Sequence, residues 1–90
     1  MEILHKETET KGSFYVGDPA LAEMTYSKAG DNLIIIDHTE VGEALKGKGV
    51  GLQLVKAAVE FARNKKIKIL PLCPFAKSVF DKKEELRDVL

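Results

Sequence analysis

Lys46-Gly47-Lys48-Gly49-Val50-Gly51 sets three glycines at alternate positions just before a helical pattern begins. A helix start leaves about four backbone N–H groups without intrahelical partners. Most helices answer with Ser, Thr, Asp or Asn at the N-cap. Residues 46–51 contain none of these, and nothing acidic follows in the first turn. Lys46 and Lys48 even add positive charge where the helix dipole is already positive. An anion makes the arrangement favourable, because glycines let the backbone approach it, N–H groups point at it and the lysines screen it. The segment therefore reads as a pyrophosphate-class site rather than a water-capped turn, since three ordered glycines are costly unless φ or close approach requires them.

The flanks of this turn define the fold. Downstream, Gln53, Lys56, Glu60 and Arg63 form one polar stripe, with Leu54, Val55, Ala58, Val59 and Ala62 opposite, so residues 52–63 predict an amphipathic helix. After Asn64-Lys65-Lys66, residues 67–72 read as a strand that contains Pro71, and Pro74 suits the first turn of a second helix burying Phe75, Val79 and Phe80. Upstream, Leu33-Ile34-Ile35-Ile36 is apolar throughout, as in a strand covered on both faces. It runs on through Asp37-His38-Thr39-Glu40-Val41, where rising polarity marks exit into a cleft. Ala22, Met24 and Tyr26 alternate with polar residues, and Ala29-Gly30-Asp31-Asn32 turns that strand into a hairpin. Ser13-Phe14-Tyr15-Val16 is a further strand, closed by the turn Gly17-Asp18-Pro19. Residues 7–12 read as a turn or frayed end, His5 as part of a mobile terminus, and the charged run 81–88 as a solvated helix face.

The expected architecture is α+β: a mixed, mostly antiparallel sheet with three antiparallel strands, one parallel strand–helix–strand unit with a right-handed crossover, and two covering helices. Pro71 has no N–H for a ladder, so the sheet should open there and leave room for a ligand. Ninety residues are read as one domain, 1–90. Fourteen basic residues balance fourteen acidic ones, which argues against a nucleic-acid grip. The longest apolar run is far too short for a membrane span, and the N-terminus lacks signal-peptide character. Cys73 has no partner for an internal disulfide, and with two histidines it cannot build the usual four-ligand zinc site. A reducing, cytoplasmic setting and no metal are the expectation.

Which phosphate ligand fits follows from spacing. Gly42 to Lys48 matches the first seven positions of a P-loop, but Gly49 stands where magnesium needs Ser or Thr. The glycine spacing G-x-G-x-G also departs from the dinucleotide fingerprint. The segment from Val41 through Lys46-Gly47-Lys48-Gly49-Val50-Gly51 to Leu52 and Leu54 resembles the acetyl-CoA motif of the GCN5-related N-acetyltransferases, Q/R-x-x-G-x-G/A. Lys46 stands at the Arg or Gln position. The resemblance covers about residues 33 to 80, and His38-Thr39-Glu40-Val41 with Leu72-Cys73-Pro74-Phe75 resembles a short, stand-alone branch of that superfamily. It implies that the Val41 backbone meets the pantetheine arm of acetyl-CoA and that Lys46, Gly47, Lys48, Gly49, Val50 and Gly51 surround the pyrophosphate. Two family features differ: the chain lacks the early helix pair of the acceptor pocket, and Phe80 stands near a Tyr that many relatives use to protonate the leaving thiolate.

Acetyl transfer to an amine needs a route for one proton off and one on. His38 and Glu40 lie two apart on one strand and share a face. An imidazole suits a base near neutral pH, and His38 reads equally as a structural residue at a strand end. Glu40 reads as a base acting through water or as a solvated carboxylate. Cys73 is a candidate acyl carrier, proton donor or packed hydrophobe. Two functions follow: an acetyl-CoA-dependent N-acetyltransferase acting on a small or protein amine, with His38, Cys73 and Glu40 as catalytic candidates, or a non-catalytic module that binds acetyl-CoA or another phosphorylated ligand.

Overall fold

The computed structural model describes residues 2–17 and 19–90, so Met1 and Asp18, the centre of the expected Gly17-Asp18-Pro19 turn, lie outside the described residues. Five strands, β1 (Leu4–Glu7), β2 (Lys11–Val16), β3 (Ala22–Lys28), β4 (Leu33–Val41) and β5 (Lys68–Pro71), form one sheet in chain order. The first four pair antiparallel, and β4 pairs with β5 in parallel. Helices α1 (Val50–Lys65) and α2 (Pro74–Lys82) pack with the sheet, together with short 3₁₀ segments at Glu43–Leu45 and Glu84–Val89. The α+β reading and its single parallel unit are what the structure shows.

Alternation explains the core. Phe14 and Val16 on β2, Ala22, Met24 and Tyr26 on β3, and Ile34 and Ile36 on β4 are buried, and Leu54, Val55, Ala58, Val59 and Ala62 of α1 join the same core. Leu33 and Ile35 are only half-buried, so β4 is covered on one face and not on both as its apolar run suggests. Lys66 closes α1 in a left-handed conformation (φ 58°, ψ 43°), with its N–H bonded to Arg63 O and that of Ile67 to Ala62 O, a Schellman cap built without glycine.

Strand β1 is an addition to the three antiparallel strands read from the sequence, and it anchors His5 instead of leaving it mobile. His5 stacks on Phe14 at 4.2 Å and meets Phe61 edge-on at 4.7 Å. Its Nε2 lies 2.6 Å from the hydroxyl of fully buried Tyr26, which donates to Glu7 at 2.7 Å. Burial lowers the His5 pKa, with Lys28 and Lys65 acting the same way against the pull of Glu7. Burial and the Glu7 carboxylate push the Tyr26 hydroxyl well above its ordinary value. Gly12 makes this possible, since a Cβ there would lie 2.3 Å from the Tyr26 ring.

The C-terminal run is no solvated helix face. Leu86 and Val89 are buried, Arg63 grips Asp88 through two bonds of 2.9 and 2.7 Å, and Arg87 donates to the carbonyls of Phe80 and Asp81.

Candidate active site

The parallel ladder between β4 and β5 stops where Pro71 has no N–H to give. Its last register pair is Ile36–Pro71, and Ile36 O then accepts from both Leu72 and Cys73 N–H at 3.1 Å. Beyond that point β4 continues for five residues to Val41 without a β5 partner. The opening expected at Pro71 is present, and the strand end, the glycine turn and α2 enclose a cleft of about 470 Å³ there.

A β-bulge decides what faces this cleft. Thr25 pairs with His38 but Tyr26 pairs with Ile36, which leaves Asp37 as the extra residue on β4. The bulge resets the alternation, so Thr39 and Val41 line the cleft while His38 and Glu40 do not. His38 Nε2 and Glu40 Oε2 are 3.8 Å apart, with side chains 67% and 80% exposed. Cys73 is buried beside Thr39 instead, Sγ to Oγ1 3.4 Å. The three catalytic candidates are therefore split: His38 with Glu40, and Cys73 with Thr39. Burial pushes the Cys73 thiol up. The hydrogen bond with Thr39 and the N–H groups of Ala76, Phe75 and Thr39 outweigh that and hold it below its usual range.

The glycine turn presents donors as its sequence suggests. Gly47 and Gly49 have φ of 78° and 71°, a left-handed backbone that glycine adopts without penalty. Gly49 caps α1, with no side-chain cap bond and no acidic residue in the first turn. Among the described residues, the loop and cap bonds spend the N–H groups of Lys46 on Glu43 O and Lys48 on Leu45 O, but use none from Gly47, Gly49, Val50 or Gly51. Those four residues, with Lys46, line the cleft, whereas Lys48 does not. Gly51 has a different reason: a Cβ there would lie 2.5 Å from the ring of Phe75. That ring is 41% exposed, not buried as the helix pattern suggests, and forms a cleft wall.

Charge around the cleft comes partly from residues the sequence reading missed. Lys46 Nζ is 2.8 Å from Glu43, while Lys82 and Lys83 at the end of α2 also line the cleft. No local pattern in 81–88 marks Lys82 and Lys83, because the packing of α2 brings them there. A small α+β domain with one split parallel pair and a glycine-rich helix start without a side-chain cap is the class of fold these elements define.

The family model described as GCN5-related N-acetyl-transferase matches residues 13–89, and the chain belongs to that family. A GCN5-like protein of Staphylococcus aureus, solved by NMR, is 44% identical with a TM-score of 0.73, over 98% of this chain and 85% of that one. The ribosomal-protein-alanine N-acetyltransferase of Brucella melitensis biovar Abortus shares the fold at 14% identity and a TM-score of 0.68, over 83% of this chain and 62% of that one. A GNAT family acetyltransferase of Elizabethkingia anophelis, solved with acetyl-CoA bound, shares it at 19% identity and a TM-score of 0.54, over 68% and 40%. Human protein NATD1 is 33% identical over 52 residues, 58% of this chain and 46% of its own length, so the chain spans about half the length of the vertebrate relatives it matches.

Proposed function

We propose that residues 1–90 act as one acetyl-CoA-dependent N-acetyltransferase unit in the cytoplasm, with the nucleotide end of acetyl-CoA at the glycine turn and its pantetheine arm along Val41. One observation carries this reading: Gly47, Gly49, Val50 and Gly51, whose N–H groups take no loop or cap bond among the described residues, line the cleft at the free end of β4. Lys46, Lys82 and Lys83 supply positive charge toward the phosphates. The acetyl-CoA held by the structurally similar Elizabethkingia anophelis protein is consistent with it.

Acetyl-CoA supplies a thioester at which the new C–N bond replaces C–S, one proton leaving the amine and one reaching the sulfur. In this chain His38, exposed on the helix-free face beside Glu40, takes the proton from the amine. Cys73, buried behind the cleft-lining Thr39, serves as proton donor or as backing for the pocket wall. Acetylation is direct in this scheme, so no acyl-Cys73 forms.

Calorimetry with acetyl-CoA, followed by CoA release with a panel of amines, tests the proposal. The expected result is binding that Gly49→Val abolishes, with turnover lowered about 10²–10⁴-fold in His38→Ala at unchanged affinity. Binding without CoA release from any amine makes the chain a non-catalytic acetyl-CoA module. An acetylated Cys73 seen by mass spectrometry before acceptor is added overturns the direct route.

A further inference from the structure

The helix-free face of the sheet bears a second concavity that the cofactor cleft leaves unused. Lys6 pairs with Ser13 and Ser13 with Thr25, so these three stand in one row across the strands. The row ends at the β4 bulge, where His38 opposes Thr25 and Asp37 is the extra residue. Lys11 pairs with Ser27 in the adjoining row of the same face, and the Ser27 hydroxyl donates to Asp37 at 2.7 Å. With Glu23 these residues, His38 apart, line a groove of about 710 Å³.

Two features point to a ligand there. Ser13 is 3% exposed and its Oγ has no hydrogen-bond partner, although the residue lines the groove. A buried hydroxyl without a partner is rare and costly, and here it stands midway between opposite charges. Glu7 also lines the groove beside Lys6 but is taken up by Lys28 and the Tyr26 hydroxyl. The groove charges without an ion pair among the described residues are Lys6 and Lys11 on β1 and β2 and Glu23 and Asp37 on β3 and β4. Lys6 and Lys11 stand three and two strands from Asp37, roughly 10–14 Å away at the backbone. An extended tripeptide has a matching length of roughly 10 Å.

The acidic end adjoins the split. Asp37 is the first β4 residue beyond the last β4–β5 register pair. A thioester lying along the cleft face of β4 leaves this other face as the free approach for an amine. We propose that the groove holds the acceptor as a short amino-carboxylate of peptide length, its ammonium group at Asp37 and Glu23, its carboxylate at Lys6 and Lys11, and the Ser13 hydroxyl bonded between them. The acceptor role rests on the acetyltransferase reading, whereas the groove's ligand chemistry does not.

Triglycine is the probe. Titrated into the isotope-labelled protein, it should shift the amides of Lys11, Ser13, Thr25 and Asp37 together. Lys6→Glu with Lys11→Glu should weaken it at least about tenfold while acetyl-CoA affinity holds, and triglycinamide should bind the native protein as weakly. No groove shifts at millimolar triglycine, or binding by triglycinamide or by the double variant as tight as that of triglycine to the native protein, overturns the proposal. With acetyl-CoA present, triglycine should be acetylated faster than glycinamide, and the reverse order overturns the acceptor role. Failure of acetyl-CoA to bind in calorimetry overturns the cleft reading and the acceptor role with it, while the triglycine titration still decides what the groove takes.

Discussion

Cys73 Sγ lies 3.4 Å from Thr39 Oγ1, across the gap where β4 and β5 part, and it is Thr39 rather than His38 that faces the sulfur. That contact, with the N–H groups of Ala76 and Phe75, favours the thiolate more than burial opposes it. A thiolate titration followed by ultraviolet absorbance should therefore give a Cys73 midpoint below the ordinary thiol value of about 8.5. Thr39→Val removes a group that stabilises the charged form, so its midpoint should rise. A midpoint above the ordinary value in the native protein would show that burial dominates.

The same pair shows what the sequence could and could not reveal. The glycine turn was legible because its signal is local: alternate glycines, no capping side chain and two lysines within six residues. Pro71 marked the split for an equally local reason, a missing N–H. The bulge at Asp37 has no such mark, since it exists only in the pairing of β3 with β4, and it decides that Thr39 and not His38 enters the cleft. Strand β1 stayed hidden because its inward groups are His5 and Glu7, which satisfy each other through Tyr26 and break the apolar alternation that announces a strand. Phe75 misled by its type: a helix pattern reads Phe as core, yet this one stands over Gly51 at the cleft wall.

Gly49 and Gly51 of the turn should separate by mechanism. Gly49→Ala forces a left-handed residue into the helix start at a cost of roughly 1–2 kcal/mol. Nothing lies within 4 Å of the new Cβ, so the fold should survive in urea titration. Gly51→Ala has no such backbone strain and instead displaces the Phe75 ring, whose edge would be 2.5 Å away. In a Phe75→Ala background the Gly51→Ala change should become nearly neutral in stability, whereas Gly49→Ala should keep its full cost. Equal costs for Gly51→Ala in both backgrounds would mean that Phe75 is not what Gly51 accommodates.

Acid should weaken the β1 anchor in two stages. Burial lowers the His5 pKa in the folded chain, so the folded state resists protonation there. Its contribution is complete above the unfolded value of about 6.5 and declines as pH falls through the lower folded value. Glu7 is held low by the Tyr26 hydroxyl and by Lys28, so its contribution persists to lower pH and is lost only as the carboxylate protonates. The urea midpoint should fall between pH 7 and 5, and His5→Gln should flatten that slope while leaving the later loss in place. A midpoint that rises on acidification through this range would reverse the sign of the argument.

The C-terminal segment should govern the cleft as well as stability. Leu86 and Val89 are buried against the core, and the 3₁₀ segment 84–89 packs on both α1 and α2. Leu86→Ala removes a buried side chain at a cost of about 2–5 kcal/mol. Because α2 carries Phe75, Lys82 and Lys83 into the cleft, loosening its support should also weaken acetyl-CoA binding. Arg63→Ala deletes the two bonds to Asp88 and one to the Glu85 carbonyl without opening a core cavity, so its effect on the urea midpoint should be smaller. It should still speed amide exchange across residues 84–90. The Arg63 bonds also hold the Asp88 carboxyl below its usual range, so the grip should persist as the solution is acidified until that carboxylate protonates. Leu86→Ala with native acetyl-CoA affinity in the folded protein would show that α2 keeps its place without the tail.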